Sequence, residues 1–399
     1  MEIKIKENKT TEFGLIPSDW QIKEFQDVMS GFFSGATPYR GRPEYYKGQI
    51  NWITSGELNY NIITDTNEKI TEEAVRNTNL KILPKGTFLF AITGLEAEGT
   101  RGSCAITGID ATTNQSCMAL FPFESLDVKY LYHYYVWKGK MLALRYCQGT
   151  KQQSYTGKIA RKLPIIIPPT KSEQTAIATA LSDTDALIEN LEKLIAKKRN
   201  IKQGVMQELL KPKNGWGIKK LGDFIRLQTG FPFSSEYFSD NPKGQRLIKN
   251  RDLRSDDSIV YYSGDYAKEF IVQNNDLLIG MDGDFEPVLW KKGNALLNQR
   301  VGRILKIKEI SIPFLSFTLL KELKEIEVRT SSTTVKHLSH SDINKIEMPL
   351  PNFEKQTHIA TILTDMDADI YALEKKLNKI KQIKQGMMQA LLTGKIRLV

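Results

Sequence analysis

The sequence predicts an α+β protein in which two globular domains are separated by two long helices that form an antiparallel coiled coil, with an internal pseudo-two-fold repeat. Residues 173–210 and 355–392 align without a gap at an offset of 182 (355 − 173), and 22 of the 38 positions are identical. An apolar run ending in proline precedes each copy, PIIIPP in the first case and IEMPLP in the second. Such a duplication indicates repeated structural units.

Each copy carries an apolar stripe with heptad spacing. The second copy has seven stripe positions, namely Ile359, Leu363, Met366, Ile370, Leu373, Leu377 and Ile380. The first copy has, at the equivalent positions, Ile177, Leu181, Thr184, Ile188, Leu191, Ile195 and Lys198. Spacings that alternate between four and three are typical of coiled coils. Two such stripes in one chain are most simply buried against each other, in antiparallel helices of about 55 Å.

These helices divide the chain into five predicted parts, which are domain 1 at 1–169, the first helix at 170–211, domain 2 at 212–352, the second helix at 353–393 and a C-terminal tail at 394–399. Proline ends each domain because it continues neither a strand ladder nor a helix interior. The domains resemble each other weakly, as in LFAITG and LIGMDG or TNQS and LNQR. We expect the short tail to return to domain 1.

Composition permits a nucleic-acid partner without requiring one. The chain has 56 Lys and Arg against 46 Asp and Glu, a formal net charge of +10 that is spread along the sequence. No apolar run approaches membrane-spanning length, and the N-terminus lacks the apolar core of a signal peptide. The sparse cysteines and scattered histidines show no metal-ligand spacing. We therefore predict a cytoplasmic protein with no metal site and no membrane association.

The order of these features resembles the specificity (S) subunit of type I restriction–modification systems. The resemblance covers essentially the whole chain. It rests on the duplicated helix, on the segment SGATPYRGRPEYYKGQINWITSGEL, and on GMDGDF followed by LNQRVGRI in the second half. It implies that the globular parts are target recognition domains, each reading one half of a split sequence in double-stranded DNA. The helices would set the spacing between the halves.

The same resemblance implies the partners. Two methyltransferase (M) subunits would dock on the helices, and motor-nuclease (R) subunits would join for cleavage. No cofactor is expected on this chain, while S-adenosylmethionine, ATP and Mg²⁺ are expected on the partner subunits.

Polar side chains on loops are the predicted DNA contacts, because base readout requires groups that reach groove edges and phosphate contacts hold the register. The domain 1 candidates are Ser34, Thr37, Tyr39, Arg40, Asn114, Gln115, Thr150, Lys151, Gln152 and Ser154. The domain 2 candidates are Phe231, Phe233, Lys249, Arg251, Asn298, Gln299, Arg300, Thr333, Thr334 and Lys336. Arginine or lysine suits guanine, and amides pair bidentately with adenine.

Two of these patterns have a second interpretation. The Asn–Gln pairs recur in both domains, although different half-sites need different readers, so they are equally well explained as structural turn residues. Asp282 and Asp284 resemble metal ligands. Because domain 1 has Thr93 and Leu95 at the equivalent positions, a loop cap is the favoured interpretation.

The chain is predicted to be non-catalytic. An adenine methyltransferase needs an NPPY- or DPPY-like tetrapeptide, and the only Pro-Pro pair, at Pro168–Pro169, lacks the flanking residues. Three alternatives are a specificity subunit of a related fused methyltransferase–nuclease system, a DNA adenine methyltransferase in its own right, and a coiled-coil scaffold without a DNA role.

Overall fold

The computed structural model describes residues 7–330 and 337–398. The chain forms two compact units, the first containing residues up to Glu192 together with those from Lys375 onward, and the second containing Lys193–Glu374. Each long helix therefore contributes to both units. The five parts predicted from the sequence instead treated each long helix as a separate part. Within the described residues, no helix combines the length and apolarity needed to cross a membrane.

The globular part of the first unit begins with a two-stranded hairpin and ends at a proline-terminated strand. Its elements are β1 (Asn8–Thr11), β2 (Gly14–Pro17), β3 (Gln21–Glu24), α1 (Phe25–Val28), β4 (Met29–Ser34), β5 (Ile50–Ile53), β6 (Asn61–Ile63), β7 (Glu68–Ile70), α2 (Glu72–Asn77), β8 (Phe88–Ala91), β9 (Cys104–Thr107), β10 (Ala111–Thr113), β11 (Cys117–Pro122), α3 (Val128–Tyr146), α4 (Gly157–Arg161) and β12 (Pro164–Ile167). The long helix α5 (Lys171–Leu210) follows.

The second globular part lies between the two long helices. Its elements are β13 (Gly217–Lys220), β14 (Ile225–Thr229), β15 (Phe238–Ser239), β16 (Gln245–Ile248), β17 (Val260–Tyr262), β18 (Ile271–Val272), β19 (Leu277–Gly280), β20 (Pro287–Leu289), β21 (Ala295–Leu297), β22 (Val301–Lys306), α6 (Ile312–Thr330), α7 (His340–Asn344) and β23 (Glu347–Leu350). The second long helix is α8 (Phe353–Leu391).

The two globular parts have the same strand order. The principal sheet of the first has the order β4-β11-β8-β9, extended by β6, and that of the second has the order β14-β22-β19-β20. A parallel pair occurs in each, β5 with β10 and β16 with β21. An antiparallel pair joins the two ends of each repeat, β3 with β12 and β13 with β23. The predicted α+β fold with an internal repeat is therefore confirmed.

Each long helix begins at a polar cap that follows a proline. Thr170 Oγ1 accepts a hydrogen bond from the backbone N–H of Glu173 (3.2 Å), and Asn352 Oδ1 accepts one from that of Lys355 (3.0 Å). Because the first N–H groups of a helix have no partner within the helix, such caps stabilise its start.

A buried glutamine then ties each long helix to its domain. Gln174 and Gln356 occupy equivalent positions in the two copies and are 2% and 4% exposed. Their side-chain oxygens accept hydrogen bonds from the backbone N–H groups of Asp127 (2.9 Å) and Ser311 (3.0 Å), which immediately precede α3 and α6. A buried amide needs such partners, which explains why both copies carry glutamine at this position.

The two long helices run antiparallel in both units. Their heptad positions are buried or half-buried. Ion pairs connect the helices at Asp185–Lys384 and Glu192–Lys381 in the first unit, and at Lys198–Asp369 and Lys202–Asp367 in the second. Partner numbers rise along α5 as they fall along α8, which confirms the predicted antiparallel coiled coil. Because partly exposed ion pairs contribute only about 0–1 kcal/mol each, the apolar stripe supplies most of the stabilisation.

The C-terminal tail packs on the first unit. Arg397 lies between two carboxylates, with Nη1 at 3.0 Å from Asp19 Oδ1 and Nη2 at 2.8 Å from Glu173 Oε2. Leu398 packs against the apolar core of this unit. The tail therefore connects the end of α8 to the start of domain 1, as predicted from the sequence.

His133 is buried where α3 packs on α5 in the first unit. Its side chain is 1% exposed, and Nε2 lies 2.9 Å from Ser182 Oγ. Burial, together with the positive charges of Lys384 and Lys129, lowers the pKa of His133 to about 4. The imidazole is therefore neutral in the folded protein.

This buried histidine makes the stability of the first unit pH-dependent. We expect the free energy of unfolding to fall by about 2 kcal/mol between pH of about 7.5 and about 5, because an unfolded histidine takes up its proton near pH 6.5 and the folded one near 4. Protonation thus favours the unfolded state as the pH falls through this window. Urea unfolding at both pH values measures the loss. His133→Gln should remove it, and an unchanged profile in that variant would contradict the assignment.

Candidate nucleic-acid interface

The register of the principal sheet brings three loops of domain 1 to one edge. It pairs Ser34 of β4 with Met118 of β11, and Cys117 of β11 with Ala91 of β8. The end of β4, the start of β11 and the end of β8 therefore lie side by side. The loops that meet there are 34–40, 93–103 and 114–116. A β-bridge between Thr93 and Ser154 attaches 148–154 to them, and we name these four loops the loop edge of domain 1.

Domain 2 builds the same edge. The register pairs Thr229 of β14 with Gly302 of β22, and Gly280 of β19 with Val301 of β22. The loops that meet there, restricted to residues that the structure describes, are 230–233, 281–286, 298–300 and 337–339, and these form the loop edge of domain 2. Candidates far apart in sequence are thus neighbours in space.

Three candidates of domain 1 form one hydrogen-bonded group. Ser34 Oγ donates to the backbone oxygen of Gln115 (3.0 Å), and Thr37 Oγ1 donates to Gln115 Oε1 (2.5 Å). Tyr39 follows in the same loop with 73% of its side chain exposed. The group holds the 34–40 loop against the 114–116 turn and leaves the phenol free to reach a ligand.

Arg40 is an oriented, exposed cation. Its Nη1 and Nη2 atoms lie 2.6 and 2.8 Å from the two carboxylate oxygens of Glu68, and its guanidinium lies 4.2 Å from the centre of the Tyr46 ring. The hydrogen bond to Glu68 raises the pKa of Arg40. The side chain is 54% exposed. Glu68 occupies one donor on each Nη atom, and the remaining N–H groups of the guanidinium are the ones that can reach a base or a phosphate.

The recurring asparagines shape turns. Asn114 Oδ1 accepts a hydrogen bond from the N–H of Ser116 (3.1 Å), and Asn298 Oδ1 accepts one from that of Arg300 (3.3 Å). A turn in which the asparagine side-chain oxygen accepts a hydrogen bond from the backbone N–H two residues later is an Asx turn. This geometry favours the turn interpretation for both asparagines, while the glutamines that follow them are exposed.

The 148–154 loop displays three candidates, Thr150, Lys151 and Gln152, on a tight turn. Gln148 and Ser154 exchange two backbone hydrogen bonds of 2.9 Å each across its base. Gly149 has a φ of +102°, and a Cβ there would lie 2.2 Å from the carbonyl oxygen of Gln152. Thr150, Lys151 and Gln152 are exposed on the resulting loop, and Ser154 is half-buried at its base.

Phe231 and Phe233 of domain 2 differ in position. Phe231 is 45% exposed at the loop edge, whereas Phe233 is 7% exposed and belongs to an apolar core with Tyr262. Their ring centres lie 5.2 Å apart. Phe233 therefore packs against Phe231 from the apolar core and is itself buried.

The remaining domain 2 candidates divide into three groups. Arg300 lies on the loop edge with its side chain 54% exposed. Lys249 and Arg251 flank Asn250, whose Nδ2 donates to the backbone oxygen of Asp282 at the loop edge (2.5 Å). Their own side chains are engaged elsewhere, since Lys249 Nζ lies 4.9 Å from the centre of the Phe238 ring and Arg251 donates to Ser258 Oγ (2.9 Å). The other three, Thr333, Thr334 and Lys336, lie outside the described residues.

Sequence reasoning missed the importance of Asp282 and His337. Asp282 Oδ2 lies 2.6 Å from Arg300 Nη1, and Asp282 Oδ1 lies 2.8 Å from His337 Nδ1. The aligned runs LFAITG and LIGMDG already contained the signal, since they place Thr93 opposite Asp282. Asp282 thus contacts both Arg300 and His337 through hydrogen bonds. Among the described residues no three metal-ligating side chains converge.

In each domain, one glycine allows two neighbouring loops of the loop edge to come into close contact. A Cβ on Gly35 would lie 1.8 Å from the carbonyl oxygen of Thr113, and one on the equivalent Gly230 would lie 2.2 Å from that of Asn298. Both backbones must therefore approach closely, which only glycine permits.

We expect Gly35→Ala to lower the free energy of unfolding of the first unit by about 1–3 kcal/mol, because the backbone must shift to admit the methyl group. Gly99→Ala is the matched control, since a Cβ there meets nothing within 4 Å. Urea unfolding of both variants measures the difference. Equal stability of the two would show that the loop edge adapts freely.

Comparison with known protein families identifies the family to which the chain belongs. The model of the type I restriction modification DNA specificity domain matches residues 17–198 and again residues 213–385. The chain belongs to this DNA specificity family. The two matches coincide with the two repeats, so the chain carries two specificity domains and is a DNA-recognition subunit.

Relatives within the specificity family match either nearly the whole chain or about half of it. The MjaIX specificity subunit of Methanocaldococcus jannaschii is 27% identical over 98% of this chain and 97% of that protein. The EcoBI specificity subunit of Escherichia coli is 33% identical over 47% of this chain and 41% of that protein. The S subunit structure from M. genitalium has a TM-score of 0.66 at 17% identity, covers 93% of this chain and 96% of that one, and so shows the same fold.

Proposed function

We propose that this chain is the non-catalytic specificity subunit of a type I restriction–modification complex, in which each domain reads one half of a split duplex-DNA target. The repeated loop edge carries this proposal. The two edges stand on the same strand order but present different side chains, which is what two different half-sites require. Polar groups on loops supply base readout, and oriented cations such as Arg40 supply phosphate or base contacts.

The long helices set the spacing between the half-sites and dock two methyltransferase subunits. Two features support this role. Both helices are continuous through the two units, and Leu194 and Ile201 of α5, one heptad apart in the second unit, remain 39% and 47% exposed. Apolar positions of that spacing suit the packing of a further helix. Motor-nuclease subunits join the same complex for cleavage.

Chemistry and cofactors belong to the partners. S-adenosylmethionine, ATP and Mg²⁺ bind the methyltransferase and motor subunits, and the complex acts in the cytoplasm. The relatives that match over the full chain are specificity subunits of type I enzymes, which favours separate partner subunits over a fused methyltransferase–nuclease.

Methylome sequencing tests the proposal directly. Cells that express this chain with its cognate methyltransferase subunit should acquire methylated adenines in both halves of one split motif. Cells that express the methyltransferase alone are the control and should lack that motif. No new methylation, from a methyltransferase shown to bind this chain, would contradict the proposal.

A further inference from the structure

Three positions of each loop edge are held by the same backbone hydrogen bonds. In domain 1, Ile92 donates its N–H to the Ser116 oxygen (2.9 Å) and accepts from the Tyr155 N–H (2.8 Å). A β-bridge pairs Thr93 with Ser154. Thr93, Ser116 and Ser154 are thus fixed next to one another by the backbone.

Domain 2 repeats every one of these bonds. Met281 donates its N–H to the Arg300 oxygen (3.0 Å) and accepts from the Leu338 N–H (2.8 Å). A β-bridge pairs Asp282 with His337. Together with the Asx turns at Asn114 and Asn298, these bonds define one backbone scaffold, which we name the readout frame. Its positions are Thr93, Ser116 and Ser154 in domain 1, and Asp282, Arg300 and His337 in domain 2.

The side chains on this shared frame differ in chemistry. Domain 1 presents three small hydroxyl groups, each a donor and an acceptor. Domain 2 presents an acid, a guanidinium and an imidazole. A constant backbone with exchanged side chains is the arrangement that lets two copies of one domain read two different sequences.

In domain 2 the three side chains form a connected group. Asp282 is 24% exposed, and its two oxygens take Arg300 Nη1 and His337 Nδ1. Asn250 Nδ2 donates to the Asp282 backbone oxygen (2.5 Å), which fixes the acid in place. Arg300 and His337 are 54% and 53% exposed. The acid is therefore a positioning residue, and the two side chains that it orients face solvent.

The orientation leaves Arg300 able to bind a base. A guanidinium carries five N–H donors, so an arginine held at one nitrogen still has donors to offer. Arginine pairs bidentately with the N7 and O6 acceptors of guanine in the major groove. Because a carboxylate oxygen accepts, His337 Nδ1 is the donor in its hydrogen bond to Asp282.

We infer that the readout frame is the specificity-determining element of each domain, and that Arg300, oriented by Asp282, reads a guanine in the half-site of domain 2. Domain 1 reads its half-site at the same frame through hydroxyl contacts and has no guanine contact of this kind. The inference rests on the proposed function and names the base that one domain recognises.

Grafting the domain 1 side chains into domain 2 tests this inference. The variant Asp282→Thr, Arg300→Ser, His337→Ser in the full chain, bound to its cognate methyltransferase subunit, is selected against duplex DNA with randomised half-sites. We expect the preference for guanine at one position of the domain 2 half-site to fall at least about tenfold. The domain 1 half-site and the spacing should not change.

Arg226→Ser is the matched control. Arg226 is also an exposed arginine of domain 2, and it lies on β14, outside the loop edge. It should leave both half-sites unchanged. An unchanged guanine preference in the grafted variant would overturn the inference and leave the proposed function standing. Absence of any split motif with the unaltered chain would instead refute the proposed function.

Two conservative variants decide the case if the grafted chain does not fold. Arg300→Lys keeps the charge and loses the fork, and Asp282→Asn keeps the shape and loses the ion pair. Each should weaken the preference at the same single position. A uniform loss of affinity for all sequences would mean a phosphate contact and would overturn the inference.

Discussion

Replacing Arg397 with methionine is expected to lower the free energy of unfolding of the first unit by about 3–5 kcal/mol. Arg397 pairs with Glu173, whose side chain is 0% exposed, and with Asp19. Its removal leaves a carboxylate buried without its cation, and an uncompensated buried charge is strongly destabilising. Hydrogen exchange of β3 and β12 measures the loss within this unit.

A surface arginine provides the comparison. Arg145 pairs with Glu12, and the two side chains are 47% and 50% exposed. Water solvates both groups, so Arg145→Met should cost less than about 1 kcal/mol. Similar losses in the two variants would mean that the tail contributes no more than any surface ion pair.

The contact of Arg397 with Asp19 and Glu173 belongs to one repeat only. At the offset of 182, the equivalent of Arg397 is Gly215 (397 − 182) and that of Glu173 is Lys355 (173 + 182). The duplication therefore did not supply this contact. It exists because the C-terminus returns to the first unit.

Inserting four residues after Lys193 in α5 is expected to change the spacing of the DNA half-sites and to leave their bases unchanged. Four helical residues add about 6 Å, which corresponds to one or two base pairs at about 3.4 Å each. The loop edges lie outside the altered segment, so their side chains are unaffected. Methylome sequencing with the cognate methyltransferase reads both the bases and the spacer.

The same four residues inserted after Lys213 serve as the control. This position lies in the exposed connection between α5 and β13, so neither long helix is lengthened and the spacer should stay the same. A change in the recognised bases, with the spacer preserved, would refute the idea that the helices act as a ruler.

The long helices were predictable because their signal is local. Heptad neighbours such as Ile359 and Leu363 lie on one face of a helix whatever the rest of the chain does. The second copy, identical at 22 of 38 positions, then indicated the apolar stripe against which the first one packs. Gln174 and Gln356 were visible as shared residues, but their hydrogen bonds to the starts of α3 and α6 were not, since those partners lie 47 and 45 residues away.

The internal repeat, the paired helices and the loops that carry polar candidates can be read from the sequence alone. Which of those loops come into contact depends on how the strands pair in three dimensions. Arg300 and His337 lie 18 and 55 positions after Asp282 in the sequence, and strand pairing together with a β-bridge brings the three together. Register depends on pairing between distant segments, and a shift of one residue moves every side chain to the other face. A helix carries its periodicity within a few residues, whereas a sheet edge is assembled from strands that no local pattern connects.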